Sequence, residues 1–199
     1  MSRVRTRPTR EETRQKLFEA AAGVFEEHGI GAASIEMIAA AAGLTRGAFY
    51  SNFESKDELI VAMLEDHLER SMEHHKSLLA RHKTAADFVA ALRATERSRH
   101  DPLGRVPLLH MELILYVARA EKRRPELARR LRARRKLIAD IVVATARDQP
   151  IDDPAWAGAL LLAIEDGFRL HRLIDPDSTP VDSFFRAVGD LQKLIGNKA

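Results

Sequence analysis

The chain contains no cysteine, which excludes disulfides, thiol catalysis and thiolate metal sites and fits a reducing cytoplasm. Aromatic residues supply only 6% of its 199 residues, and clusters of β-branched residues are scarce. Alanine, leucine, arginine and glutamate dominate instead, so the expected class is all-α. No run of about 18 apolar residues occurs, so no membrane span is expected. The first ten residues hold Arg3, Arg5, Arg7 and Arg10 and no acid. No apolar segment follows them, which argues against a signal peptide and for a cytoplasmic protein. Enzyme signatures are missing too. There is no HExxH, no nucleophile elbow and no phosphate loop, and His74 and His75 would point about 100° apart on a helix. Glu112 and Glu165 could act as a carboxylate pair, but nothing orients a substrate between them. No catalytic residue, metal site or cofactor is therefore expected. The net charge is only +3, so affinity for a polyanion has to come from local patches. A hydrophobic content of 45% is enough to bury a substantial core in one or two domains.

What is present centres on Ser34 to Phe53, SIEMIAAAAGLTRGAFYSNF. Ile35, Ile38, Ala39 and Ala42 recur at helical spacing and give one apolar face. Gly43 follows where a helix ends most easily in a left-handed conformation, and Leu44 plugs the core behind the turn. Thr45 can cap a second helix, Thr45–Phe53, whose inner stripe is Phe49 and Phe53. Ala39 sits where the two helices cross. This spacing of small residue, glycine and aromatic is what a DNA-reading helix-turn-helix requires. The outer face then carries Arg46, Gly47, Ala48, Tyr50, Ser51 and Asn52. Arg46 can donate two hydrogen bonds to a guanine or pair with a phosphate. Tyr50, Ser51 and Asn52 offer neutral donors to phosphate oxygens, and Ser34 and Thr45 at the two helix starts are expected to contact the DNA as well.

SIEMIAAAAGLTRGAFYSNFESKDEL resembles the signature of TetR-type transcriptional regulators through Ser34, Ala42, Gly43, Gly47, Tyr50 and Phe53, then Ser55, Lys56 and Leu59. The resemblance covers roughly Thr9 to Leu64. The remaining two-thirds is similar only in length and helical pattern. Asn52 stands where the family most often has histidine, so no base preference follows.

Along the chain, residues 1–10 form an arm that could follow a phosphate backbone or enter a minor groove, or be a solvated tail. Thr9 with Glu12 makes a capping box for a first helix that carries Leu17, Ala20, Ala21, Val24 and Phe25 on one face and ends at Gly29. Ser55 with Glu58 makes another. The helix it opens, 56–81, has Lys56 placed to meet a phosphate and Leu59, Ile60, Met63, Leu64, His67 and Leu68 inward. Five helices are expected after it. They are Ala85–Arg99 behind Thr84, Leu108–Ala120 after breaks at Asp101-Pro102 and Pro107, Arg124-Pro125 to about Arg147, and two opened by Asp153-Pro154 and Thr179-Pro180. The expected division is 1–55 as arm and DNA-binding domain and 56–199 as an effector-binding and dimerisation domain.

In the last two helices, Ala155, Ala159, Ala163 and Gly167 form a small-residue stripe. Val181, Phe184, Val188, Leu191 and Ile195 form an a/d seam. Packing within one chain would explain both; a twofold copy would make a four-helix dimer interface, as the family resemblance implies. The resemblance also implies an effector pocket. Its candidate lining is His67 on the linking helix, Met111, Glu112, Leu115 and Tyr116 on one later helix, and Trp156, Leu160, Ile164, Glu165 and Phe168 on another. Plain core is the competing explanation. Glu112 and Glu165 lie within apolar runs, and a buried carboxylate needs a partner, either Arg169 or Arg172 or a ligand. Arg119 to Lys136 holds ten basic and two acidic residues, which a solvated helix face explains. An acidic partner or non-specific DNA contact would explain it as well.

The expected function is a homodimeric, ligand-responsive repressor, released from a near-palindromic operator in double-stranded DNA by a small-molecule effector. An activator of the same fold, a helical small-molecule-binding module and an enzyme are the alternatives.

Overall fold

Thr9 opens the fold with a complete capping box. Its Oγ1 accepts from the Glu12 N–H at 3.1 Å, and the Glu12 carboxylate accepts from the Thr9 N–H at 2.7 Å. The computed structural model describes residues 9–82, 84–95, 107–122, 124–145, 151–180 and 182–196, with only the backbone for 95 and 191–196. Among the described residues there are nine helices and no strand. They are α1 (Arg10–Ala32), α2 (Ile35–Ala41), α3 (Arg46–Tyr50), α4 (Lys56–Arg81), α5 (Ala85–Thr95), α6 (Pro107–Arg119), α7 (Arg124–Thr145), α8 (Pro154–Ile174) and α9 (Ser183–Gly196). No described helix is long and apolar enough to cross a membrane.

The expected helices are present, with local differences at their ends. Gly29 breaks α1 with φ of 75°, and a single turn follows before Ala33. Pro107 is not a break but the first residue of α6, where its missing N–H costs nothing. Pro180 does not open the last helix. Its carbonyl accepts from the Ser183 N–H at 3.0 Å, so a turn precedes α9. The arm residues Arg3, Arg5 and Arg7, the Asp101-Pro102 break, Arg99, Arg147 and Val181 lie outside the described residues.

Contacts divide the chain into two units, 1–67 with 100–124 and 68–99 with 125–199. In the first unit, Leu17, Ala21 and Phe25 of α1 meet Ile38 and Ala39 of α2 and Phe49 of α3 as buried core. Leu59, Ile60 and Leu64 continue it along α4, and Leu109, Leu113 and Val117 bring α6 into the same core. Each of these leucine, isoleucine, valine and phenylalanine side chains contributes roughly 1.5–3 kcal/mol of burial. Packing thus groups α6 and nearly half of α4, up to His67, with the segment 1–55. In the second unit, Leu78, Phe88, Leu137 and Ile141 form the core cluster. There α7 and α8 approach closely at Gly158, where an added Cβ would lie 2.8 Å from the Arg135 carbonyl and 2.9 Å from the Ala139 nitrogen.

Candidate nucleic-acid interface and effector cavity

The turn between α2 and α3 is built entirely by local chemistry. Ser34 caps α2, its Oγ accepting from the Met37 N–H at 3.1 Å. At the other end Gly43 adopts φ of 65°, which glycine reaches without a Cβ clash. The Gly43 N–H then bonds the Ala40 carbonyl and the Leu44 N–H bonds the Ala39 carbonyl, each at 2.9 Å. This pair of bonds is a Schellman motif, and it satisfies carbonyls the helix end leaves open. Thr45 at once caps α3, its Oγ1 accepting from the Ala48 N–H at 3.1 Å.

α3 is shorter than expected and stops at Tyr50 rather than Phe53. The cause is competition for one carbonyl. Ser51 Oγ and Asn52 Nδ2 both donate to the Ala48 oxygen at 2.8 Å, so the Asn52 N–H turns to Phe49 instead. Asn52 is consequently buried, with 7% exposure, and its Oδ1 has no partner. It does not join the outer face on which it was expected. What α3 presents is Thr45, Arg46, Gly47, Tyr50 and Ser51, all exposed, with Ala48 half-buried beside them. Nothing inside the protein requires glycine at position 47, since an added Cβ would meet only Thr45 Oγ1 at 3.8 Å. Its effect is to leave backbone bare on the outward side.

Arg46 is not idle on this face. Its Nη1 lies 2.9 Å from Glu36 Oε1 on α2, and its guanidinium sits over the Tyr50 ring at 5.4 Å. The Tyr50 hydroxyl first and Glu36 second favour its charged form. Sequence reasoning missed Glu36 as this partner, because the pair spans two helices and no single-helix spacing reveals it.

Two expected DNA contacts are directed elsewhere. Ser34 Oγ is used by its cap. Lys56 turns inward, and its ammonium donates to the carbonyls of Ile30 at 2.7 Å and Ala33 at 2.8 Å. The break at Gly29 leaves those carbonyls open near the negative end of α1, and a cation is their natural partner. Lys56→Met is therefore expected to cost the first unit about 1–2 kcal/mol in urea unfolding. The slope of log affinity for DNA against log salt should stay unchanged. A slope reduced by about one would restore Lys56 as a phosphate ligand.

α6 adds a link to the start of α4. The Tyr116 hydroxyl donates to Asp57 Oδ1 at 2.7 Å, which holds the phenol above its usual titration range. The His67 and His110 rings lie 4.4 Å apart, both buried. His67 thus belongs to the first unit's core and is not among the residues that line the second unit's cavity. Met111 is half-buried, while Glu112 and Leu115 are exposed, so the apolar run of α6 does not enclose the Glu112 carboxylate.

The second unit contains a cavity of about 110 Å³. Phe88, Leu92, Ile141, Leu162, Phe184 and Phe185 supply much of its apolar wall. His75, Thr145 and Glu165 are its polar members. Of the residues expected in a pocket, Glu165 lines this one; Trp156, Leu160, Ile164 and Phe168 do not. Trp156 is 65% exposed, as α8 turns that side outward with Leu160, Leu170 and Ile174. Phe184 and Val188, expected in an interface seam, face the cavity instead. Ala159 and Gly167 are half-buried and Ala163 is exposed, while the side chains of Leu191 and Ile195 lie outside what is described.

Glu165 is held from both sides. Its Oε2 accepts from Arg134 at 3.0 Å and its Oε1 from Arg169 at 2.6 Å. Arg169 was one of its expected partners, but Arg134 was not. The basic run behaves as a solvated face elsewhere. Arg129 and Arg130 pair with Glu126, and Lys136 pairs with Asp140. Arg134 alone among its described basic residues is buried.

Comparison with known proteins places this geometry. Residues 17–63 match the model of bacterial regulatory proteins, tetR family. The chain is 39% identical over 80 residues to a probable HTH-type transcriptional regulator, ArpR, of Pseudomonas putida, an alignment covering 37% of this chain and 38% of that one. It is 40% identical over 75 residues to the HTH-type transcriptional regulator TtgR, also of Pseudomonas putida, covering 35% and 36%. The matched stretch thus spans little more than a third of these relatives' length. A solved SmeT–triclosan complex shares the fold at a TM-score of 0.70 and 24% identity, over 90% of this chain and 88% of that one. Residues 17–63, which hold the helix-turn-helix, are thus similar to the corresponding domain of the tetR family of bacterial regulatory proteins.

Proposed function

We propose that the protein is a homodimeric transcriptional repressor that leaves its operator when a small molecule enters the second unit. The observation that carries this reading is the rigidly capped α2–turn–α3 segment, whose outward side is thin, polar and solvent-exposed. Thr45, Arg46, Gly47, Tyr50 and Ser51 would meet the major groove, with Arg46 leaving Glu36 for a guanine or a phosphate. The likeness to regulators such as the probable acrEF/envCD operon repressor of Escherichia coli K12, at 36% identity over 80 residues, supports repression.

Dimerisation is supported by the outward side of α8, where Trp156, Leu160, Leu170 and Ile174 are exposed around Ala163. An apolar patch of this kind calls for a partner. Two heads would read half-sites about 34–36 Å apart or a multiple of that. Effector and operator would oppose each other by about 1–3 kcal/mol, reciprocally. Helix α4 is the mechanical route, since its backbone runs unbroken from Lys56 to Arg81 and Tyr116 grips its first turn.

Selection of bound duplexes from a random pool tests the reading. A recovered palindrome supports it, and no enrichment at low salt removes it. Arg46→Ala should then cost about 1–3 kcal/mol of operator affinity and relax preference at one base position. An equal loss on every sequence would make Arg46 a phosphate ligand.

A further inference from the structure

We propose that Glu36 is an intramolecular restraint on DNA binding: its carboxylate competes with the duplex for the Arg46 guanidinium, so the free protein holds its own reading face partly closed. This rests on the DNA-binding reading and deepens it. Both residues are exposed, Glu36 in the first turn of α2 and Arg46 at the start of α3. Arg46 Nη1 lies 2.9 Å from Glu36 Oε1, while Nη2 donates to the Tyr50 hydroxyl at 3.4 Å. Both terminal nitrogens are thus engaged within the protein. A guanine or a phosphate is gripped best by two parallel N–H bonds from one guanidinium. A guanidinium drawn against α2 has to swing away to offer them, exchanging the Glu36 carboxylate for another acceptor. Tyr50, itself on the reading face, is tied into the same cluster by its hydroxyl and by its ring, 5.4 Å from the guanidinium carbon.

Exposure sets the magnitude. The Arg46 side chain is 63% exposed and that of Glu36 55%, so the pair is of the weak surface kind. Breaking such a pair shifts an equilibrium by up to about fivefold. A second effect has the same sign. Once Arg46 leaves, an uncompensated carboxylate remains beside a polyanion, and its repulsion reaches about 10 Å at 0.1 M salt. The competition weakens binding most where Arg46 makes its best contact. On a duplex that offers only a poor one, Arg46 stays with Glu36 and little is exchanged. Glu36 therefore lowers affinity without sharpening sequence choice. Its position in the first turn of α2 gives the carboxylate another use, since an acid there supports the helix start. Losing that support would weaken DNA binding, whereas losing the restraint strengthens it, so the direction of change separates the two roles.

The test measures the affinity of the full chain at low salt for a fluorescent duplex of random sequence and for the duplex that selection enriches, read by anisotropy. Glu36→Gln should bind both more tightly, by about two- to fivefold on the enriched duplex and by less on the random one. In an Arg46→Ala background most of that gain should vanish, because the group being restrained is gone. Raising the salt should shrink the gain as well. The proposal falls if Glu36→Gln binds no tighter than the wild type. It falls too if the gain is as large without Arg46, which would make Glu36 a general surface charge. Wild-type binding with no gain in Glu36→Gln removes the restraint alone. If neither protein binds any duplex, the DNA-binding reading fails and the restraint fails with it.

Discussion

Glu165→Ala is expected to destabilise the second unit by about 3–5 kcal/mol, more than any other single change at the cavity. The penalty comes from what is left behind. Arg134 has only 8% of its side chain exposed, and its Nε already has no partner. Remove Glu165, and a buried guanidinium loses the anion that neutralises it. Arg169 cannot take over, because it carries the same charge. Urea unfolding should show a lower midpoint with an unchanged slope, the mark of lost stability rather than a changed denatured state. Glu165→Gln keeps one acceptor and should cost less. Replacing the pair together, Arg134→Met with Glu165→Leu, should recover most of the loss, since an apolar pair needs no desolvation. If Glu165→Ala unfolds at the wild-type midpoint, Arg134 must reach solvent on its own, and the account of this site is wrong.

Why Glu165 was legible in the sequence and Arg134 was not is a matter of contrast. A carboxylate inside an apolar run stands out. An arginine among ten basic residues does not, and composition reads the whole run as solvated. Yet a signal existed: Leu127, Arg134 and Ile141 follow one another at intervals of seven, and all three are buried. Periodicity marked that arginine as inward while its neighbours hid it. The helix-turn-helix was readable because its determinants are local. Ser34, Gly43 and Thr45 act within four residues of themselves, through caps and one left-handed turn. Lys56 and Asn52 were misread for the opposite reason. The carbonyls that capture Lys56 lie more than twenty residues upstream, and the burial of Asn52 depends on which donor wins the Ala48 oxygen. The cavity is the extreme case, since its wall is drawn from α4, α5, α7, α8 and α9. Helical periodicity reports which side of a helix is inward, but not whether a neighbour fills the space.

Phe49→Ala should abolish DNA binding without touching a DNA-facing atom. Phe49 is fully buried, and its ring meets Phe53 at 5.8 Å. Phe53 in turn meets Phe18 of α1 at 5.7 Å and lies under the Arg14 guanidinium at 4.7 Å. This chain of rings is what fixes α3 against α1. Truncation leaves a cavity and should cost about 3–5 kcal/mol. A helix of five residues has no stability of its own, so α3 would lose its orientation before the rest of the unit unfolds. Phe49→Leu, which largely conserves volume, should cost under about 1.5 kcal/mol and retain binding. Hydrogen exchange separates this effect from loss of a contact. In Phe49→Ala, amides of α2 and α3 should lose protection, while those of the core cluster at Leu137 and Ile141 keep it. In Arg46→Ala, affinity should fall with protection intact everywhere. Retained operator binding by Phe49→Ala would mean that α3 finds its pose on the DNA itself. The face described above would then be a product of binding and not its cause.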